Sequence, residues 1–117
     1  MMLGDPQGAT IPDYPVGRAT DITWPGLRGY VWNRGRRGLN VPWISAVEPG
    51  HGACGEFIAA LQAKYPTVRF PCVISAILQG MLERRGFRLE YEWSPRFEEY
   101  VDLMTWRRSG KYRRAQT

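Results

Sequence analysis

The order of elements readable in this chain is strand, glycine-rich turn, helix, strand, helix, strand, strand. It predicts an α/β (α+β) fold: a mixed sheet with a central parallel strand pair flanked by two helices, closed by a C-terminal antiparallel pair. Three observations carry this. Two apolar runs, 39–47 and 67–74, are each followed by helical periodicity. Residues 88–93 alternate strictly between apolar and charged side chains. The length of 117 residues suits a single domain around one core.

Residues 1–26 are rich in Gly, Pro, Asp and Thr, with prolines at 6, 12, 15 and 25. No period of 2 or 3.6 persists there, so an irregular lead-in packed on the domain is expected. Leu27 to Trp32 reads as a short strand, and Asn33 to Gly38 as a turn. Leu39 to Val47 is apolar on both faces, as a central strand covered on each side would be. Pro42 removes a ladder donor within it and calls for a bulge or an edge. After the turn 49–55, a helix over Glu56 to Lys64 turns Phe57, Ala60, Leu61 and Lys64 to one face. Thr67 to Ile74 is a second buried strand. Ser75 caps a helix over Ala76 to Arg85, whose inner stripe is Ile77, Leu78, Met81 and Leu82, and Gly86 suits a left-handed C-cap. Arg88 to Trp93 and Tyr100 to Trp106 form the antiparallel pair, with Tyr91 read as core and Glu90 and Glu92 as a solvated face. The two strands separated by one helix are expected to be parallel, through a right-handed crossover. Beyond Val47 and Ile74 they are expected to splay, because Pro42, Pro49 and Pro71 interrupt pairing.

The composition, 44% hydrophobic and 23% charged, is that of a globular domain and excludes a disordered chain. No apolar run reaches the ~18 residues of a membrane span, and the first residues lack the pattern of a signal peptide. Two cysteines, Cys54 and Cys72, make no disulfide scaffold. A cytoplasmic protein with reduced thiols, monomer or homodimer, is the expectation. The net charge of +5 gathers in two clusters: Arg28, Arg34, Arg36 and Arg37, and a basic tail over 107–117. Such patches attract nucleic acid, anionic cofactors or acidic partners, or merely solubilise the chain.

The Gly-rich turn follows Val47-Glu48-Pro49, and the second helix ends in Arg84-Arg85-Gly86-Phe87. In this, residues 39–106 resemble the GNAT superfamily of acyl-CoA-dependent N-acyltransferases. The family's cofactor motif follows Val-x-Pro and reads Arg/Gln-x-x-Gly-x-Gly/Ala before a helix. Gly52 stands at the Arg/Gln position, Gly55 at the central Gly and Phe57 at the last. The resemblance implies acetyl-CoA as cosubstrate, with Val47, His51, Gly52, Ala53, Cys54, Gly55, Glu56 and Ser75 along it. A pyrophosphate would meet backbone N–H groups at the helix start, where the dipole favours negative charge. Leu82 occupies the place of the family's proton-donating Tyr, Ser75 that of an Asn, and the strand 39–47 carries no carboxylate. Glu48, Ser75 and Tyr91 are therefore the candidate catalytic groups, with Tyr100, Glu90 and Glu92 behind them.

Three functions follow as expectations. One is an acetyl-CoA-dependent N-acetyltransferase acting on an amine of a protein or small molecule. The second is a catalytically degenerate relative that binds and blocks a host protein, since compact members of the family occur in phages. The third is a transferase acting on nucleic acid, where Trp24 and Trp32 beside arginines could stack bases. His51 and Cys54 invite a thiol-nucleophile reading, but three residues of one turn rarely align imidazole and thiol. One His and two distant Cys do not make a metal site.

Overall fold

The computed structural model describes residues 10–48, 50 and 52–108. In chain order it contains β1 (Ala19–Asp21), β2 (Leu27–Asn33), β3 (Leu39–Ala46), α1 (Ala53–Lys64), β4 (Thr67–Pro71), α2 (Ala76–Arg84), β5 (Arg88–Ser94) and β6 (Glu99–Arg107). The strands make one sheet in the order β1-β2-β3-β4-β6-β5. β3 and β4 are parallel and every other neighbouring pair is antiparallel. The fold is thus α+β with a mixed sheet. β1 was not expected: its three residues lie inside the segment read as irregular. The remainder of the described lead-in does pack on the domain, burying Tyr14, Ile22 and Trp24. Tyr65 holds it there, its hydroxyl accepting from Tyr14 N at 3.1 Å and donating to Pro12 O at 3.2 Å.

The parallel pair is short. Only Leu39↔Val68 and Asn40↔Arg69 are in register, although β3 continues to Ala46 and β4 to Pro71. The cause lies in the prolines. Between the partners Trp32↔Asn40 and Tyr30↔Trp43, one β2 residue faces two of β3, so Val41-Pro42 forms a bulge. Pro42, lacking an N–H, sits where a ladder donor is not required. β4 ends at Pro71, and Cys72, at φ 54°, turns its N–H to Asp102 O at 3.0 Å. β4 therefore follows β6 away from β3, and a fork opens. The sequence led to a fork beyond Val47 and Ile74; it opens earlier, after Asn40 and Arg69, with β4 ending at Pro71 rather than Ile74.

The bulge also reverses the phase of β3. Leu39 and Val41 are buried before it; after it Ile44 and Ala46 turn inward, while Trp43 and Ser45 are exposed. Leu39 was expected to start a strand covered on both faces, and that is corrected. Val68, Phe70 and Met104 share one sheet face by register, and they form a single core with Phe57, Ile58 and Leu61 of α1, Leu82 of α2 and Phe87. Both helices lie on that face, rather than one on each side, because two successive right-handed crossovers in the same direction end on the same side.

The helices match the sequence in kind, not in every boundary. α1 begins at Ala53 rather than Glu56. Ser75 caps α2, its Oγ accepting from Leu78 N at 3.2 Å, and Gly86 has φ 94°. Ile77, expected in the inner stripe, is 79% exposed, and Leu78 is half-buried. On β5 the side chains alternate as expected, but the burial is the reverse of that expected. Leu89, Tyr91 and Trp93 are exposed, because neither helix reaches the edge strand. Glu90 and Glu92 are half-buried in ion pairs: Arg107 grips Glu90 at 2.6 and 3.1 Å, and Arg69 and Arg37 meet Glu92 at 3.1 and 3.4 Å. Arg107 beside it holds the Glu90 carboxyl below the usual glutamate range, against the opposing effect of burial.

Candidate functional site

The fork between β3 and β4 opens into a trough. Its central part, about 500 Å³, runs between the end of β3 (Ile44, Ser45, Ala46), the start of α1 (Ala53, Cys54, Gly55) and the inner side of α2 (Leu78, Met81), with Glu48, Gly50 and Ser75 on its rim. A narrower recess of about 180 Å³ enters the fork itself, beneath Pro42 and Pro71. In the other direction a cleft of about 640 Å³ passes over Gly52, Gly55, Glu56 and Ala59 to Arg84 and Arg85. The parts share Ile44, Ser75 and Leu78 on one side, and Gly52, Gly55 and Met81 on the other, so they are continuous.

Local chemistry changes along this trough. At the fork the walls are apolar, while β3 beyond Asn40 has no β4 partner for its backbone. At the middle, α1 starts on Gly52 in the left-handed region, φ 80°, and no side chain caps it. The N–H groups of its first turn are therefore left without a side-chain acceptor beside the cleft. At the far end two guanidinium groups line the wall. Arg85 lies across Gly55: a Cβ there would stand 3.1 Å from its Nη2. Glu56, in the same first turn, adds an opposing negative charge.

The residues singled out in the sequence are distributed unevenly over this geometry. Glu48, Gly52, Ala53, Cys54, Gly55 and Ser75 line the central part, and Glu56 the outer cleft. Val47 is exposed, its N–H bonded to Gly26 O at 2.8 Å, and is not part of the lining. Tyr91 and Tyr100 stand exposed on the β5–β6 hairpin, away from the trough. His51, like Pro49, lies outside the described residues. Leu82 is wholly buried in the core. What sequence reasoning missed is Arg84, Arg85 and Met81 as trough residues. For the two arginines the signal was their place directly before Gly86-Phe87, legible only once α2 is laid beside α1.

Burial pushes the Cys54 thiol up, with Arg85 pulling the other way, so Cys54 is held as the neutral thiol and is a weak nucleophile. Both cysteines are free. Among the described residues no group of three or more His, Cys, Asp or Glu side chains is placed to hold a metal. None of their helices is long and apolar enough to cross a membrane. The geometry defines a mixed-sheet domain with a forked parallel pair and a trough that turns from apolar to cationic. Comparison with known proteins finds no family model, no curated protein and no solved structure that matches the chain.

Proposed function

We propose that the chain is a compact GNAT-type domain that binds acetyl-CoA in this trough and transfers the acetyl group to an amine. One observation supports it above the rest: the parallel strands part directly beside an uncapped helix start. Such a fork leaves β3 backbone groups available to the amides of an extended pantetheine arm. The α1 N–H groups suit a pyrophosphate through direct bonds and the helix dipole, and Arg84 and Arg85 suit further phosphate charge. Gly55 fits because a side chain there would meet the Arg85 guanidinium. The thioester supplies the activated acyl group.

In this reading Glu48, on the rim, accepts the proton of the incoming amine as the C–N bond forms. The Ser75 hydroxyl, which accepts from Leu78 N, still has its O–H to donate. It hydrogen-bonds the departing sulfur, which takes its proton from water. Steady-state release of free thiol from acetyl-CoA, with a panel of polyamines and lysine peptides as acceptors, tests the proposal. Glu48→Gln is expected to lower turnover by 10²-fold or more, in the range of a lost general base. No acceptor-dependent thiol release above the level of free acetyl-CoA hydrolysis would refute it.

A second reading, a cofactor-binding protein without catalysis, draws support from Leu82. The position that resembles the family's proton-donating Tyr holds a side chain sealed in the core. Saturable acetyl-CoA binding with no turnover on any acceptor would favour it.

A further inference from the structure

The sheet face opposite the helices carries a feature that acyl transfer does not use. On β2, Arg28, Tyr30 and Trp32 alternate outward, while Leu27 and Val31 are buried inward. Register places Tyr30 directly opposite Trp43 and Arg28 opposite Ser45, so the two strands present one surface. Tyr30, Trp32 and Trp43 are 37%, 45% and 52% exposed, an unusual concentration of aromatic surface on one sheet. The Arg34 guanidinium lies 6.0 Å over the Trp32 ring.

Charge says what such a surface suits. Arg28 and Arg36 are exposed and Arg34 is half-buried, and among the described residues none has a carboxylate within ion-pair distance. Arg37 is engaged with Glu92. In β1, β2 and β3 the one carboxylate is Asp21, opposite Tyr30 at the outer edge. An apolar protein partner would leave these arginines desolvated and unpaired, at a cost of several kcal/mol each. An acidic protein surface would pair them but has no need of three planar rings. A chain of planar bases strung on phosphates uses both.

We propose that this face binds single-stranded nucleic acid, stacking bases on Tyr30, Trp32 and Trp43 while Arg28, Arg34 and Arg36 hold phosphates. Aromatic side chains on neighbouring strands of an open sheet are the means by which RNA-binding modules stack two or three bases. Sequence-tolerant stacking of this kind also serves single-stranded DNA. The rings of a duplex base pair are already stacked, so the surface selects single strands. Trp24, which stood beside Trp32 as a stacking candidate in the sequence, has no part: it is buried against Phe57, ring centroids 5.7 Å apart.

Fluorescence anisotropy of labelled oligouridylate, oligothymidylate and a mixed-sequence duplex, over a range of salt, tests this on the full chain. Both single strands are expected to bind and to quench tryptophan emission, and the duplex to bind at least tenfold more weakly. A preference between the two single strands would report recognition of the 2′-hydroxyl. Trp43→Ala and Trp32→Ala are each expected to weaken binding about tenfold or more. Trp43→Phe keeps a stacking ring and is expected to recover most of that loss, which separates stacking from damage to the fold. Arg34→Ala is expected to make the salt dependence shallower by about one phosphate contact. Binding equal for single strand and duplex, binding unchanged in both Trp→Ala variants, or no binding at low salt would each overturn the proposal. So would full competition by heparin at equal charge concentration, which would reduce the surface to general polyanion capture.

Discussion

Leu82 and Ile77 lie on the same helix, two branched aliphatic side chains expected to share one inner stripe, and the structure separates them completely. Leu82 is fully buried and Ile77 79% exposed. Leu82 is held in place by its surroundings. Its carbonyl accepts from Phe87 N at 3.0 Å, and Phe87 packs on Phe70 and Trp106 with ring centroids 5.5 and 6.4 Å apart. Rings tied in this way collapse poorly into a void, so Leu82→Ala is expected to cost ~2–5 kcal/mol, toward the upper part of that range. A domain of this size has about 5–15 kcal/mol of stability in all. In urea titration followed by tryptophan fluorescence, the midpoint is expected to fall by roughly 1–3 M with an unchanged slope. Ile77→Ala is expected to stay within about 0.5 kcal/mol of the parent. A loss below ~1 kcal/mol for Leu82→Ala would overturn this placement, because it would mean that the side chain borders open space.

Three further outcomes are expected. Cys72, exposed on its turn, is alkylated by iodoacetamide well before the half-buried, pKa-raised Cys54, and acetyl-CoA slows the alkylation of Cys54; mass spectrometry of timed aliquots checks this. The Glu90 carboxyl is held below the usual range by Arg107, so its contribution is present above the ordinary glutamate pKa and lost as pH falls through the lowered one. Thermal unfolding of the parent therefore loses more stability than Glu90→Gln over that acid window, and parallel profiles would contradict it. Gly55→Val leaves the protein folded, since the side chain it meets is the flexible end of Arg85, but abolishes the melting shift caused by acetyl-CoA.

Much of the architecture was legible because its signals are local. The alternation of 88–93, the Ser75 cap and the Gly86 terminus each act within a few residues, and each element stands where they place it. Alternation gives the period of a strand but not which face is buried. On β5 that choice was made by Arg69 and Arg107, which neutralise Glu90 and Glu92 from β4 and β6. Pro42 foretold the bulge, though not that it would turn Trp43 outward. β1 left no trace because three residues cannot show a period. At the site, the Gly-rich turn was readable as a helix start, whereas the arginines facing it come from α2 and required the tertiary arrangement.

Isothermal titration calorimetry of the protein with acetyl-CoA shows whether the trough accepts this ligand. A saturable heat with one ligand per chain is expected, weakened by salt and by replacing Arg84 and Arg85 with Glu. At ~100 times the dissociation constant the ligand would also raise stability by roughly 2.7 kcal/mol. No heat and no shift in melting temperature at millimolar acetyl-CoA would contradict it.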